Sequence, residues 1–317
     1  MATLEGGVGA LAASSGMAAI FMSIITLARA GDNIVSTSYL QGGTYNQFKV
    51  LLSGLGIETK FVNGDSPEDI NAAIDENTKI VFVEFIGNPQ YNIPDLRKIA
   101  EYAHAKGVVF IVDNTCGGAG YLCRPIDHGA DVVIHSATKW IGGHGCAMGG
   151  VIIDSGKFPW GKWKEKFPML TEPTGGYHGI RLLDKYGTSA FIAAVRLVVL
   201  RDIGSTLSPF SAFLLLQGLE TLSLRMKCHV DNSLKLAEWL QSRSNVNWVS
   251  YPGLESHPSH DLAKSYLRHG YGSVLSFGVK GGEEAIAVFL ENLHLITHTA
   301  NLGDAKTVQP VTIPVDE

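Results

Sequence analysis

Three short segments hold the side chains with the most chemistry to offer. The apolar run VVFIVD ends in Asp113. A carboxylate at that place either caps the turn that follows or faces a ligand, since ligands of open α/β sheets bind outside the carboxyl ends of the strands. The second segment, HSATKW, puts Lys139 a few residues past the strand DVVIH, with Ser136 and Thr138 before it and Trp140 after it. A lysine on a loop is ordinarily solvated. One enclosed by tryptophan, glycines and apolar strands is desolvated, which lowers its pKa and leaves a free amine able to attack carbonyl carbon. The third segment, SSGMAA, opens a helix with Gly16 and Met17, whose amides can face an anion. Its plainer reading is helix capping by Ser14 or Ser15. An anion cradle, an aldehyde-reactive lysine and an acid that keeps a ring nitrogen protonated are together the protein partners of pyridoxal 5′-phosphate (PLP).

Other ligand motifs are missing from the sequence. It has no G-x-G-x-x-G after a strand, no G-x-x-x-x-G-K-[ST] and no H-E-x-x-H. His144 and Cys146 in GGHGC have no second pair to complete a ligand set, so no metal is expected.

To hold Asp113 and Lys139 at neighbouring strand ends, the chain needs parallel strands alternating with helices, and its patterning supplies them. Strands are predicted at Asn33–Ser36, Thr59–Val62, Ile80–Glu84, Val108–Asp113, Asp131–His135 and Gly150–Ile153. Helices are predicted at Gly16–Ala30, Thr44–Ser53, Ser66–Ile74 and Pro94–Lys106, the last with its proline in the first helical position and Gly107 just past its end. Runs such as IVFVE are apolar throughout, as strands covered on both faces should be. Beyond about residue 200 the pattern changes to helices near Phe210–Leu222 and Asp231–Leu240, strands Val246–Ser250 and Ser273–Val279, and a helix Glu283–Leu293. The fold class read from this is α/β with a mostly parallel central sheet. A large domain spans 1–200 and a smaller, partial α+β domain spans 201–317.

The composition narrows the function classes. With 317 residues, 45% of them apolar, 17% charged and 36 glycines, the chain is expected to be globular and rich in turns. A net charge of −5, with no basic stripe, makes nucleic acid and anionic membranes poor partners. The four cysteines, at 116, 123, 146 and 228, form no C-x-x-C pair and fit a reducing compartment. The apolar N-terminal stretch lacks a basic flank and is broken by glycine and serine, so it reads as a buried helix, and the cytosol is the default location.

Longer strings carry a resemblance. SSGMAA, NIVSTSYLQGGTYNQF, IGNPQYNIPD, VDNTCGGAGYLCRPIDHGADVVIHSATKWIGGHG, DSGKFPW, GYHG, SPFSAFLLLQGLETLSLR and TANLGDAKT resemble the Cys/Met-metabolism family of PLP enzymes, from the first residues to about Thr307. Within the family they are most similar to the fungal O-acetylhomoserine sulfhydrylase (homocysteine synthase) branch. The resemblance implies an aspartate aminotransferase-like fold, γ-replacement on an O-acetylated amino acid, and a homodimer or homotetramer with sites shared across the dimer. It implies that Lys139 is the Schiff-base lysine, that Asp113 partners the pyridine nitrogen, and that Gly16 and Met17 bind the phosphate together with Ser136 and Thr138. It matches Glu84 and Asn88 to the family's E-x-x-x-N-P pattern, in which the asparagine contacts the ring oxygen. It also places Asn301 near the substrate carboxylate.

The pattern departs from the family at three places. Gln41, next to the cofactor by this resemblance, stands where the family carries a tyrosine stacked on the ring. The family's N-terminal segment, whose tyrosine and arginine reach the neighbouring subunit's phosphate, has no counterpart in these residues, so the chain reads as truncated there. The arginine that grips the substrate carboxylate lies in a C-terminal segment that is likewise missing, and Arg181, Arg196 and Arg201 are the nearest candidates to replace it. Besides a transferase using sulfide or another nucleophile, the sequence leaves open an impaired homologue that binds PLP or pairs with an intact relative. A nicotinamide dehydrogenase is disfavoured by the absent glycine fingerprint.

Overall fold

The computed structural model describes residues 1–87 and 90–309. The first part of the chain runs α1 (Ala2–Glu5), β1 (Gly9–Ala13), α2 (Gly16–Leu27), β2 (Asn33–Thr37), α3 (Gly42–Asn46), β3 (Glu58–Val62), α4 (Pro67–Ala73), β4 (Thr78–Glu84), α5 (Leu96–Ala105), β5 (Val109–Asp113), β6 (Val132–Ser136) and β7 (Gly150–Asp154). Its seven strands form one sheet in the order β1-β7-β6-β5-β4-β2-β3. The pairs from β6 through to β3 are parallel, and β7 and β1 add antiparallel pairs at one edge. The expected mostly parallel α/β sheet is therefore present. The edge strand β1 escaped the sequence reading because GALAA has none of the β-branched or aromatic residues that mark a strand.

Side chains alternate across the sheet, and both faces are covered. Val81, Val83, Phe110, Val112 and Val133 pack on one face. Ile80, Phe82, Val109, Ile111 and Ile134 pack on the other. α2 covers that second face. It starts where Ser15 caps it by accepting from the Ala18 amide at 3.1 Å. Ser23 and Thr26 on its buried surface donate back to the Ala19 and Met22 carbonyls, which keeps two hydroxyls in an apolar core satisfied. α5 begins two residues later than its proline implied. Asp95 is the cap, accepting from the Lys98 amide at 3.2 Å, and Pro94 precedes it, because an aspartate side chain satisfies an orphan amide that a proline ring cannot.

The remaining chain forms short helices α6 (Pro168–Thr171), α7 (Leu182–Tyr186), α8 (Ala190–Ala194) and α9 (Arg201–Ile203), then α10 (Pro209–Glu220), α11 (Leu222–Gln241), β8 (Val246–Ser250), α12 (His260–Tyr266), β9 (Ser276–Val279), α13 (Gly282–Glu291), β10 (Thr297–His298) and β11 (Val308–Gln309). β8 and β9 pair antiparallel. α11 starts nine residues before the predicted Asp231, since LSLRMKCHV continues its apolar stripe through Leu222, Met226 and Val230. These three residues belong to the core of the first sheet face, which seats α11 against the large sheet.

Candidate active site

The carboxyl ends of β4, β5 and β6 lie side by side, and the register pairs Glu84 with Asp113 and Asp113 with Ile134. Residues 80, 82 and 84 alternate with 81 and 83, so Glu84 and Asp113 emerge on the face that α2 covers. The N-terminus of α2 reaches the same place: a Cβ on Gly16 would sit 2.7 Å from the Cβ of Ser136, so only glycine permits that approach. Because Ser15 occupies the Ala18 amide, the amides of Gly16 and Met17 are the ones left at the start of a twelve-residue helix.

Asp113 is held by Thr115, whose amide and hydroxyl both donate to its Oδ1, at 2.9 and 2.5 Å. The same hydroxyl accepts from the Ser136 amide at 2.8 Å, linking the ends of β5 and β6. Burial pushes the pKa of Asp113 upward while the Thr115 donors oppose that rise. Glu84 is pushed much further, by burial and then by the charge of Asp113 beside it. Two carboxylates side by side in a dry site do not both ionise. The donors aimed at Asp113 favour its ionised form, while burial beside that charge favours the protonated form of Glu84.

Lys139 is partly buried, and this burial lowers its pKa. Its Nζ donates to Asn301 Oδ1 at 2.7 Å, across 162 residues of sequence. Thr138 bridges to the main chain of Gly149, its Oγ1 accepting from the amide at 3.2 Å. Sequence reasoning passed over Cys116, which lies near Glu84, Asp113 and Lys139. Burial, reinforced by the negative charge nearby, pushes its thiol up, so it stands in the site as a neutral group. Thr115 was also missed, although a threonine two residues past an aspartate is a signal for a side-chain-closed turn.

The structure thus brings Gly16, Met17, Glu84, Asp113, Ser136, Thr138, Lys139 and Asn301 to one region; Asn88 lies outside the described residues. Gln41 reaches it through its main chain. Its amide donates to Glu84 Oε1 at 2.8 Å, while its side-chain oxygen turns back to accept from the amides of Gly43 and Thr44 at 2.8 and 3.3 Å. Gln41 is therefore the N-cap of α3, a role that a tyrosine side chain does not perform. Gln47, further along, donates from Nε2 to the Met17 carbonyl at 3.3 Å, so this loop also braces α2.

An expected result follows for Glu84. Glu84→Ala leaves the Gln41 amide without its acceptor, at a cost of about 1 kcal/mol for a lost, partly buried hydrogen bond. Glu84→Gln keeps both an acceptor and neutrality. Equilibrium titration with PLP should show clearly weaker retention in the alanine variant and near-normal retention in the glutamine variant. Equal retention in all three proteins would contradict the protonated, loop-holding role.

An anionic aldehyde such as PLP suits the chemistry of these residues: an amine with lowered pKa, a buried carboxylate held by two donors and two helix amides lie around the same strand ends. Comparison with known proteins agrees. Residues 1–315 match the model for the Cys/Met metabolism PLP-dependent enzymes. A homocysteine synthase of Schizosaccharomyces pombe is 62% identical over 308 residues, covering 97% of this chain and 72% of the relative. An O-acetyl-L-homoserine sulfhydrylase of Thermus thermophilus is 53% identical over 309 residues, covering 97% and 73%. Among solved structures, an O-acetylhomoserine (thiol)-lyase of Campylobacter jejuni containing N′-pyridoxyl-lysine-5′-monophosphate superposes with a TM-score of 0.92 at 36% identity, over 96% of this chain and 75% of that one.

Proposed function

We propose, since this chain belongs to the Cys/Met metabolism PLP-dependent enzyme family, that it catalyses γ-replacement on O-acetylhomoserine: sulfide adds at Cγ, acetate leaves, and homocysteine forms. The observation that carries this reading is the convergence of Lys139, Asp113 and the start of α2 at one set of strand ends. PLP, when bound, supplies the electron sink for charge developing on the amino acid's carbons.

The chain's own residues do the rest. Lys139, with its lowered pKa, is the base that takes a proton from Cα and then one from Cβ as acetate leaves, and returns one to each carbon after sulfide has added at Cγ. Asn301, bonded to Nζ, sets the direction of that amine and stands where the substrate carboxylate comes in. Asp113, ionised and held by Thr115, keeps the ring nitrogen protonated. The amides of Gly16 and Met17, with the Ser136 and Thr138 hydroxyls, hold the phosphate. Glu84 stays neutral beside Asp113, so a single negative charge faces the ring.

Among the described residues no helix is long and apolar enough to cross a membrane. The free cysteines fit a reducing compartment, and we place the protein in the cytosol as a homodimer or homotetramer acting on small amino acids. The test is incubation of the PLP-loaded chain with O-acetyl-L-homoserine, with and without sulfide, followed by chromatography of the products. Homocysteine formed in step with acetate supports the reading. Acetate released without homocysteine would assign the chain a different nucleophile, and release of neither would favour a PLP-binding homologue without turnover.

A further inference from the structure

Lys139 sits in an isolated helical turn rather than in a helix. The Gly142 amide bonds the Ala137 carbonyl and the Gly143 amide bonds the Lys139 carbonyl, both at 2.8 Å. A turn that stops there leaves its next carbonyls, those of Trp140 and Ile141, without partners of its own. Arg225, reaching over from α11, supplies them. Its Nη1 donates to the Trp140 carbonyl at 2.8 Å, and its Nη2 donates to the Ile141 carbonyl at 3.4 Å and to the Gly218 carbonyl at 2.6 Å. Nε is fixed by Thr221 Oγ1 at 3.2 Å, so the planar group cannot swing away. The guanidinium lies against Gly143, where a Cβ would come 2.2 Å from Nη1 and φ is +70°, so both the space and the backbone there require glycine. On the other side the turn is closed by the segment carrying Asn301: the Ala305 amide donates to the Gly143 carbonyl at 2.8 Å.

We infer that Arg225 is a positioning residue for Lys139, its fork ending the lysine's turn in place of the missing helix and so fixing where the amine points. The inference rests on the proposed role of Lys139 and adds to it a residue 86 positions away whose Nη donors go to main-chain carbonyls. The chemistry calls for an arginine. Lysine offers one compact point charge, whereas the fork reaches carbonyls on two different segments at once. α11 is packed into the core through Leu222, Met226 and Val230, so the anchor is rigid. The site thereby depends on a helix that contributes no group to the reaction.

The test compares wild type, Arg225→Lys and Arg225→Ala as full-length protein. The apo-protein is mixed with PLP and quenched with borohydride at a series of times, and the rate at which the pyridoxyl group accumulates on the Lys139 peptide is measured by mass spectrometry. The labelled bond forms from Lys139 Nζ and the PLP aldehyde carbon with loss of water, and borohydride supplies the hydride that fixes it. The rate in Arg225→Ala should fall by about 100-fold, the size expected for a misplaced reacting group. Methylguanidinium should recover much of that loss and methylammonium should not; the lysine variant should lie between. Thermal unfolding of the apo-proteins is followed in parallel. Labelling of Arg225→Ala at the wild-type rate overturns the inference, as does a slow rate that no guanidinium compound restores while the unfolding midpoint falls. Should the alanine variant fail to fold, the lysine variant decides: slower labelling at an unchanged midpoint supports the inference and wild-type labelling overturns it. If the wild type itself is not labelled at Lys139, the site assignment falls, and this inference with it.

Discussion

Lys139→Ala is expected to lower turnover of the PLP-loaded protein by about 10²- to 10⁴-fold, the usual contribution of a positioned general base. The expectation follows from the environment of the amine. Burial lowers the pKa of Lys139, and Asn301 Oδ1 holds its Nζ at 2.7 Å, so an amine of fixed direction and reduced basicity stands at the strand ends. Lys157 and Lys166 are engaged elsewhere in the fold: Lys157 donates to the Ile126 carbonyl and Lys166 to that of Lys106. Steady-state assays of the variant, with added primary amines as a rescue, check this. Residual activity within a few-fold of wild type would mean that another group moves the proton.

The second large effect is expected from Asp113→Asn. Both Thr115 donors bond to Oδ1, and an asparagine oxygen can accept them, so the turn and the fold should survive. What is lost is the charge. A neutral amide cannot hold a ring nitrogen protonated, and turnover should fall by about 100- to 1,000-fold, as when one preorganised electrostatic partner is removed. PLP retention should fall far less. The substitution also removes one of the two influences that raise the pKa of Glu84, so that pKa should move down toward the ordinary carboxylate range, with burial still holding it up. Spectrophotometric titration across pH, alongside turnover, reads both consequences. Unchanged turnover would show that Asp113 is a turn-closing residue and no more.

The sheet was legible because its strands are long apolar runs ending in polar residues. VVFIVD and DVVIH announce both their burial and the direction of their last side chains. β1 and the short helices between Trp160 and Ile203 were not, because small residues and single turns carry no period. Asp113, Lys139 and Gly16 could be picked out locally, each by its place at the end of a strand or the start of a helix. Asn301 was placed by resemblance alone, since nothing in its own surroundings points to a lysine 162 residues away. The Glu84 and Gln41 contact was hidden for a different reason. It joins a side chain to a backbone amide, and any residue but proline at position 41 would offer the same donor. Arg225 shows the same limit, since its partners are carbonyls, which carry no trace in the sequence.

The central claim is that Lys139 is the group that bonds the cofactor. Its most direct test is to load the purified chain with PLP, reduce with borohydride, digest and map the pyridoxyl group by mass spectrometry. The account predicts a single modified peptide, the one containing HSATKW, with the mass added on Lys139 and lost in Lys139→Ala. Modification of another lysine, or undiminished incorporation in the alanine variant, would contradict it.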